Sequence, residues 1–316
     1  MSTAHGSAFC PPEEKQVALR RADRLSWISI ALLASIIVVI GATMGGSEAM
    51  KAVWIEDLLS LVPPVAYLIG AHWREKDPTD EFPYGYRRAG LIGYLVAAVA
   101  LLAFGIYILG EAATTLFSRE HPTIGTVGFH GHRIWLGWLM IAALIYSVIP
   151  PLILGRYKLP LARELHQKAL QTDADLNKGD WLTGIAGVFG ILGIGLGYWW
   201  ADAIAAAVIA VEIVMDGVEN LKNSTAQLMN RRPTEVDSKE KDPVLDKVEE
   251  ALKKLPWIAD LRVRLREDGD VITGEVFVVP KSEENLMEKM EEATRVSCGV
   301  DWRLHDLNVV PVRSIE

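Results

Sequence analysis

The sequence predicts a membrane all-α six-helix bundle followed by a C-terminal α+β domain. Three observations carry that expectation. Half of the 316 residues are hydrophobic. They gather in long runs before about residue 225, whereas the chain from 234 onward reads as soluble. In that last stretch the apolar pattern alternates between helical spacing and a period of two, the signature of helices and half-buried strands.

A helix that crosses the hydrocarbon needs roughly 20 mostly apolar residues. Six runs qualify: 25–43, 52–70, 91–117, 134–155, 171–195 and 201–221. The short GLGYWW stretch between the last two is a Gly-aromatic turn suited to a membrane interface. No small-residue cleavage site follows the first run, so it reads as a retained span and not as a removable signal. The pairs Pro63-Pro64 and Pro150-Pro151 are expected to interrupt the second and fourth spans, because proline brings no N–H to the helix ladder.

Loop charges set the orientation. Lys15, Arg20, Arg21 and Arg24 precede the first span; Arg74, Lys76, Arg87 and Arg88 lie between the second and third; Arg156, Lys158, Arg163 and Lys168 lie between the fourth and fifth. The opposite loops hold only Lys51, Arg119 and Arg133. The positive-inside rule then puts both termini in the cytoplasm. The chain divides into a cytoplasmic segment (1–24), a transmembrane domain (25–225) and a cytoplasmic domain (234–316).

In the cytoplasmic domain Pro243 opens an amphipathic helix with Val244, Leu245, Val248, Leu252 and Leu255 on one face. A strand with period-two alternation covers 258–265, the turn is Glu267-Asp268-Gly269-Asp270, and the returning strand is 271–279. A second helix over 282–294 and a strand over 300–312 complete an αββαβ order. This gives a small ferredoxin-like or metallochaperone-like sandwich with both helices on one side.

Composition excludes several classes. The net charge of −8 says little about nucleic acid, but there is no concentrated basic face, so no nucleic-acid partner is expected. Cys10 and Cys298 are the only cysteines, too few for a disulfide framework. No nucleophile–base pair, phosphate loop or HExxH helix is present, so the chain does not read as an enzyme.

Ionisable residues inside a membrane are functional candidates by default. Glu56 and Asp57 lie in the second span, Asp173, Asp175 and Asp180 in the first half of the fifth, and Glu212 in the middle of the sixth. Glu111, Asp202 and Asp216 sit near span ends, where capping or solvation explains them, and Glu56 is expected to face the outer water. Asp57 and Asp180 are the strongest candidates, because a buried unpaired carboxylate costs several kcal/mol and a bound cation offsets that cost. His130 and His132, and His305 and Asp306 near Cys298, read as polar loop and strand end.

Several segments resemble the cation diffusion facilitator family. They are GSEAMKAVWIED over 46–57, DEFPYGYRR over 80–88, TDADLNKGD over 172–180, WADAIA over 200–205 and PWIADLRVR over 256–264. The resemblance covers nearly the whole chain after about residue 20. It implies a proton-coupled efflux transporter of a divalent cation such as manganese, iron, magnesium or zinc. No cofactor other than that cargo is implied. The protein is expected in the bacterial cytoplasmic membrane, with its tails pairing into a homodimer.

The family's cation site takes two ligands, four residues apart, from each of the second and fifth spans. Carried over, Asp57 and Asp180 match ligands, but the other two positions fall on Leu61 and Leu176. Ser60 and Asn177 lie three residues from the aspartates, a spacing that also shares a helix face. The set Asp57, Ser60, Asn177 and Asp180 is all oxygen and suits a hard cation. Asp173 lies two turns, about 10 Å, from Asp180 and is expected to line the cytoplasmic approach. Phe82 and Tyr86 replace the histidines of a further loop site, which is therefore expected to be absent. Leu61 and Leu176 also support an alternative: a non-transporting member that serves as a metal sensor or assembly scaffold.

Overall fold

In the computed structural model, the residues described are 11–315 apart from 75, 77, 120–122, 130, 131, 237–239 and 270; the side chains of 74, 129, 132, 169, 172 and 175–180 are also outside the description. Helix α1 (Glu13–Thr43) starts well before the first apolar run. Pro12 precedes it, and Glu13 and Glu14 occupy its first turn, where acidic side chains offset the helix dipole. Its early turns are held by contacts of Ala18, Leu19 and Ala22 with Tyr67, Ala162, Leu165 and Leu170.

The second span is two helices, α2 (Glu48–Leu59) and α3 (Val62–Arg74). Pro63 and Pro64 fall in the first turn of α3, where a missing N–H is tolerated but the ladder of α2 cannot continue. The break at Ser60-Leu61 agrees with the sequence expectation. The fourth span does not: Pro150, Pro151 and also Pro160 lie inside one continuous helix, α5 (Leu136–Leu165). Neighbouring helices and local adjustments can satisfy the carbonyls that proline frees within a bundle.

Helices α4 (Ala89–Ser118), α6 (Lys168–Gly195) and α7 (Ala201–Leu228) complete the bundle. Among the described residues, four stretches are long and apolar enough to cross a membrane: Glu13–Thr43, Glu48–Trp73, Ala89–Ser118 and Leu136–Leu165. Helix α6 contributes the shorter apolar segment Trp181–Gly195. Ile36, Ile40, Met50, Val53, Met140, Leu144, Ile209 and Ile213 form the bundle core. Helices α4 and α7 pack closely at two glycines. A Cβ on Gly105 would stand 2.7 Å from Val214 Cγ2, and one on Gly217 would stand 2.8 Å from the Leu102 nitrogen. Small residues permit such backbone approach in membrane bundles. Between α4 and α5 a hairpin forms, β1 (Thr126–Phe129) and β2 (His132–Trp135), where sequence reasoning expected only polar loop.

The C-terminal region runs α8 (Val244–Lys253), β3 (Ile258–Asp268), β4 (Val271–Pro280), α9 (Leu286–Cys298) and β5 (Leu304–Pro311). Strand β4 is central, antiparallel to β3 and parallel to β5. Gly269 takes φ +66° in the β3–β4 turn, a conformation in which glycine has no Cβ penalty. Val248, Leu252, Leu265, Val276, Val278 and Ala293 fill the core of this layer.

The turn of that hairpin meets the basic loops of the bundle. Arg88 Nε donates to Asp268 Oδ1 at 2.7 Å and Arg88 Nη2 to Asn230 Oδ1 at 2.7 Å. Arg87 pairs with Asp306 at 3.1 Å, and Lys168 reaches both Glu267 and Thr234. The C-terminal domain therefore marks one end of the bundle, and the α1–α2 and α4–α5 connections mark the far end.

Candidate metal site

The site begins with the way α2 is fixed. Asp202, in the first turn of α7, is fully buried. Its carboxylate accepts the Ser47 hydroxyl at 2.6 Å and the backbone N–H groups of Glu48 at 2.6 Å and Ala49 at 3.3 Å. Ser47 Oγ in turn accepts the Met50 N–H at 3.2 Å. The first N–H groups of a helix have no internal partner. One acid on α7 satisfies two of them and thereby anchors α2 to α7.

Two turns further along α2 the carboxylates converge. Thr183 of α6 is buried, with its Oγ1 3.2 Å from Glu56 Oε1 and 3.1 Å from Glu212 Oε2. Three helices thus meet through one hydroxyl. Glu56 does not face the outer water as expected; it reaches inward to Thr183 of α6. Asp57 is buried beside it at 7% exposure. Ser60 caps α2 and keeps it helical, its N–H donating to the Glu56 carbonyl at 2.8 Å.

The remaining expected ligands divide. The backbone of Asn177 and Asp180 is helical within α6, and their side chains lie outside the described residues. Asp180 precedes Thr183 by one turn of α6, which puts the two positions on one helix face. Asp173 is not open to an approach path. Its side chain is paired with Lys158 of α5, and Lys158 also reaches Ser29 of α1. This triad fastens α6 to α5 and α1.

Sequence reasoning missed Thr183 and undervalued Glu56 and Glu212. A usable signal existed: Glu212 sits in the middle of an apolar run, and Thr183 lies at helical spacing from Asp180. Elsewhere, Asp306 is engaged by Arg87 and lies 3.3 Å from His305, and burial pushes the Cys298 thiol up. Among the described residues no group of three or more His, Cys, Asp or Glu is arranged to hold a metal ion.

A second polar cluster lies where the domains meet. Arg303, 6% exposed, pairs with Asp242 at 2.8 Å and with Asp301 at 3.0 Å. His166, in the left-handed conformation at the end of α5, faces this cluster. Burial first, and then the Arg303 guanidinium, hold its imidazole below the ordinary histidine range.

A multi-pass helical bundle with carboxylates gathered between its helices, joined to a small α/β layer, defines a membrane transporter and not an enzyme. The chain belongs to the cation efflux family: residues 25–229 match the cation efflux transmembrane domain. Among its relatives is the manganese efflux system protein MneS of Bacillus subtilis, 24% identical over 90% of this chain and 92% of that protein. The manganese efflux system protein MneP of the same organism is 29% identical over 64% of this chain and 67% of its own length. The magnetosome protein MamM of Magnetospirillum gryphiswaldense is 24% identical over 90% of this chain and 86% of that protein.

Proposed function

We propose that this protein exports a divalent cation, with manganese the leading candidate, in exchange for protons. The supporting observation is the contact of one hydroxyl with two carboxyl groups. A threonine hydroxyl carries a single hydrogen. It cannot donate to both Glu56 and Glu212, so in this arrangement one carboxyl group carries a proton or a cation replaces it. Two ionised carboxylates that close in a membrane would otherwise repel. A site that holds either protons or a cation couples the two.

In this reading Asp57, Ser60, Asn177 and Asp180 supply oxygen ligands, and Glu56, Thr183 and Glu212 extend the set onto α7. Hard oxygen donors favour manganese or magnesium over softer ions, and the names of MneS and MneP point the same way. Asp173 serves α6 packing beside the cytoplasmic approach. The chain crosses the bilayer six times within 25–225, with both termini and the domain from 234 to 316 in the cytoplasm, and it works as a homodimer.

The test is flux of Mn²⁺ and protons in proteoliposomes of the purified protein. Asp57→Ala and Asp180→Ala are expected to abolish Mn²⁺-driven proton movement while the protein stays folded. Parent-like flux in both variants would overturn this site. A parent that moves none of Mn²⁺, Fe²⁺, Mg²⁺ or Zn²⁺ would favour the sensor or scaffold reading, which Leu61 and Leu176 support.

A further inference from the structure

A cavity of about 270 Å³ opens at the far end of the bundle, between the first turns of α2 and the later turns of α4. Glu48, Lys51, Trp54 and Ile55 line it from α2, and Tyr107 and Glu111 line it from α4. Its charges are ordered. Lys51 Nζ lies 2.8 Å from Glu48 Oε1 and 3.8 Å from Glu111 Oε1. All three side chains keep part of their surface open, at 38% for Lys51, 17% for Glu48 and 34% for Glu111. Ile55, which also lines the cavity, immediately precedes Glu56 on α2.

We infer that this cavity is the far-end release vestibule of the cation path, and that Lys51 keeps its mouth from trapping the cargo. The inference rests on the export reading above. The physical argument concerns the two carboxylates. Glu48 and Glu111 facing one cavity from two helices would by themselves chelate a divalent cation, because hard cations take carboxylate oxygens from several elements at once. A cation held there would block release and would compete from the outside. The Lys51 ammonium lies between the two groups and neutralises one of the two negative charges. One net negative charge remains, enough to draw a cation outward but not to hold it. A fixed charge in a cleft with low-dielectric walls changes the local concentration of ions several-fold.

Two substitutions move the balance in opposite directions. Lys51→Gln raises the mouth to two negative charges, and Glu111→Gln leaves it neutral. The readouts use sided proteoliposomes of the full chain with Cys10 and Cys298 replaced by Ser. First, Ile55→Cys is labelled from the far side with positively and negatively charged methanethiosulfonates; Tyr107→Cys is the second reporter. Lys51→Gln is expected to raise the ratio of cationic to anionic labelling about 3–5-fold, and Glu111→Gln to lower it by a similar factor. Second, far-side Mn²⁺ is titrated against export. Half-inhibition is expected at several-fold lower Mn²⁺ in Lys51→Gln than in the parent. Reporters that resist labelling, or ratios and inhibition that neither variant moves, overturn the vestibule. A parent that labels as expected but exports no Mn²⁺ overturns the export reading and the release role with it, while the charged cavity remains.

Discussion

Lys158 of α5 and Asp173 of α6 pair where their side chains are 0% and 4% exposed, with the Ser29 hydroxyl of α1 as a further partner of the lysine. Breaking a buried ion pair from one side leaves an uncompensated charge, whereas replacing both partners with apolar groups is much better tolerated. Lys158→Met or Asp173→Leu alone is expected to cost about 3–5 kcal/mol of stability. The double variant should recover most of that loss. Thermal unfolding in detergent measures it. If the single variants unfold like the parent, the pair does not fasten α6.

Asp202 tests the anchoring of α2. Asp202→Ala removes the acceptor for the Ser47 hydroxyl and two backbone N–H groups. A lost cap together with newly unsatisfied buried donors is expected to cost about 1–3 kcal/mol. Asp202→Asn keeps an acceptor oxygen and should fall between the parent and the alanine variant. Equal melting temperatures for all three proteins would refute the cap.

Thr183 is the sharpest probe of the carboxyl pair. Thr183→Val keeps the volume but loses the hydroxyl, so Glu56 and Glu212 lose their shared partner. The expected outcome is a folded protein whose Mn²⁺ transport has a displaced pH profile, with Thr183→Ser close to the parent. Glu212→Gln should reduce coupled proton flux by at least about tenfold, the scale of one lost charge-assisted contact. A valine variant with an unchanged profile would separate the two carboxyl groups from the coupling.

The joint between the bundle and the C-terminal domain should respond to pH and salt. His166 is held below its ordinary range when the domains are docked. The undocked state therefore binds protons more readily, and docking weakens as the pH falls below the usual histidine value. Above that value the imidazole is neutral in both states and the effect vanishes. His166→Asn, which tolerates the left-handed backbone at this position, should flatten the response. Energy transfer between labels at Asp80 and Glu288 would report docking. Arg88→Ala should weaken docking further, and added salt should have less effect in that variant than in the parent, because the exposed part of the contact is screened.

How far the sequence could be read depends on the range of the interactions involved. Hydropathy located the apolar part of the bundle's helices, because the apolar run is a local property, but it did not show that α1 begins before its run or that α5 continues past its own. Alternation in 258–265 gave β3 for the same reason. The departures came from partners far apart in the chain. Asp202 was set aside as a span end, yet its partners lie more than 150 residues away. Asp173 looked like a lining residue because Lys158 was counted among loop charges. Glu56 and Asp57 are neighbours in sequence, and only the packed bundle shows Glu56 reaching Thr183 of α6. Proline has two outcomes in this chain: a break at Pro63-Pro64, where a new helix starts, and continuity at Pro150-Pro151, where it does not.

The neutrality of the Lys158–Asp173 pair has an electrical consequence. A membrane voltage does work only on net charge that moves through the field, about 2.3 kcal/mol per elementary charge per 100 mV. The ammonium and the carboxylate are in direct contact and travel together, so any rearrangement of the α5–α6 unit carries almost no gating charge through them. Glu56 and Glu212, in contrast, meet through the neutral hydroxyl of Thr183. The α5–α6 fastening therefore adds almost no charge of its own to any voltage dependence of the bundle.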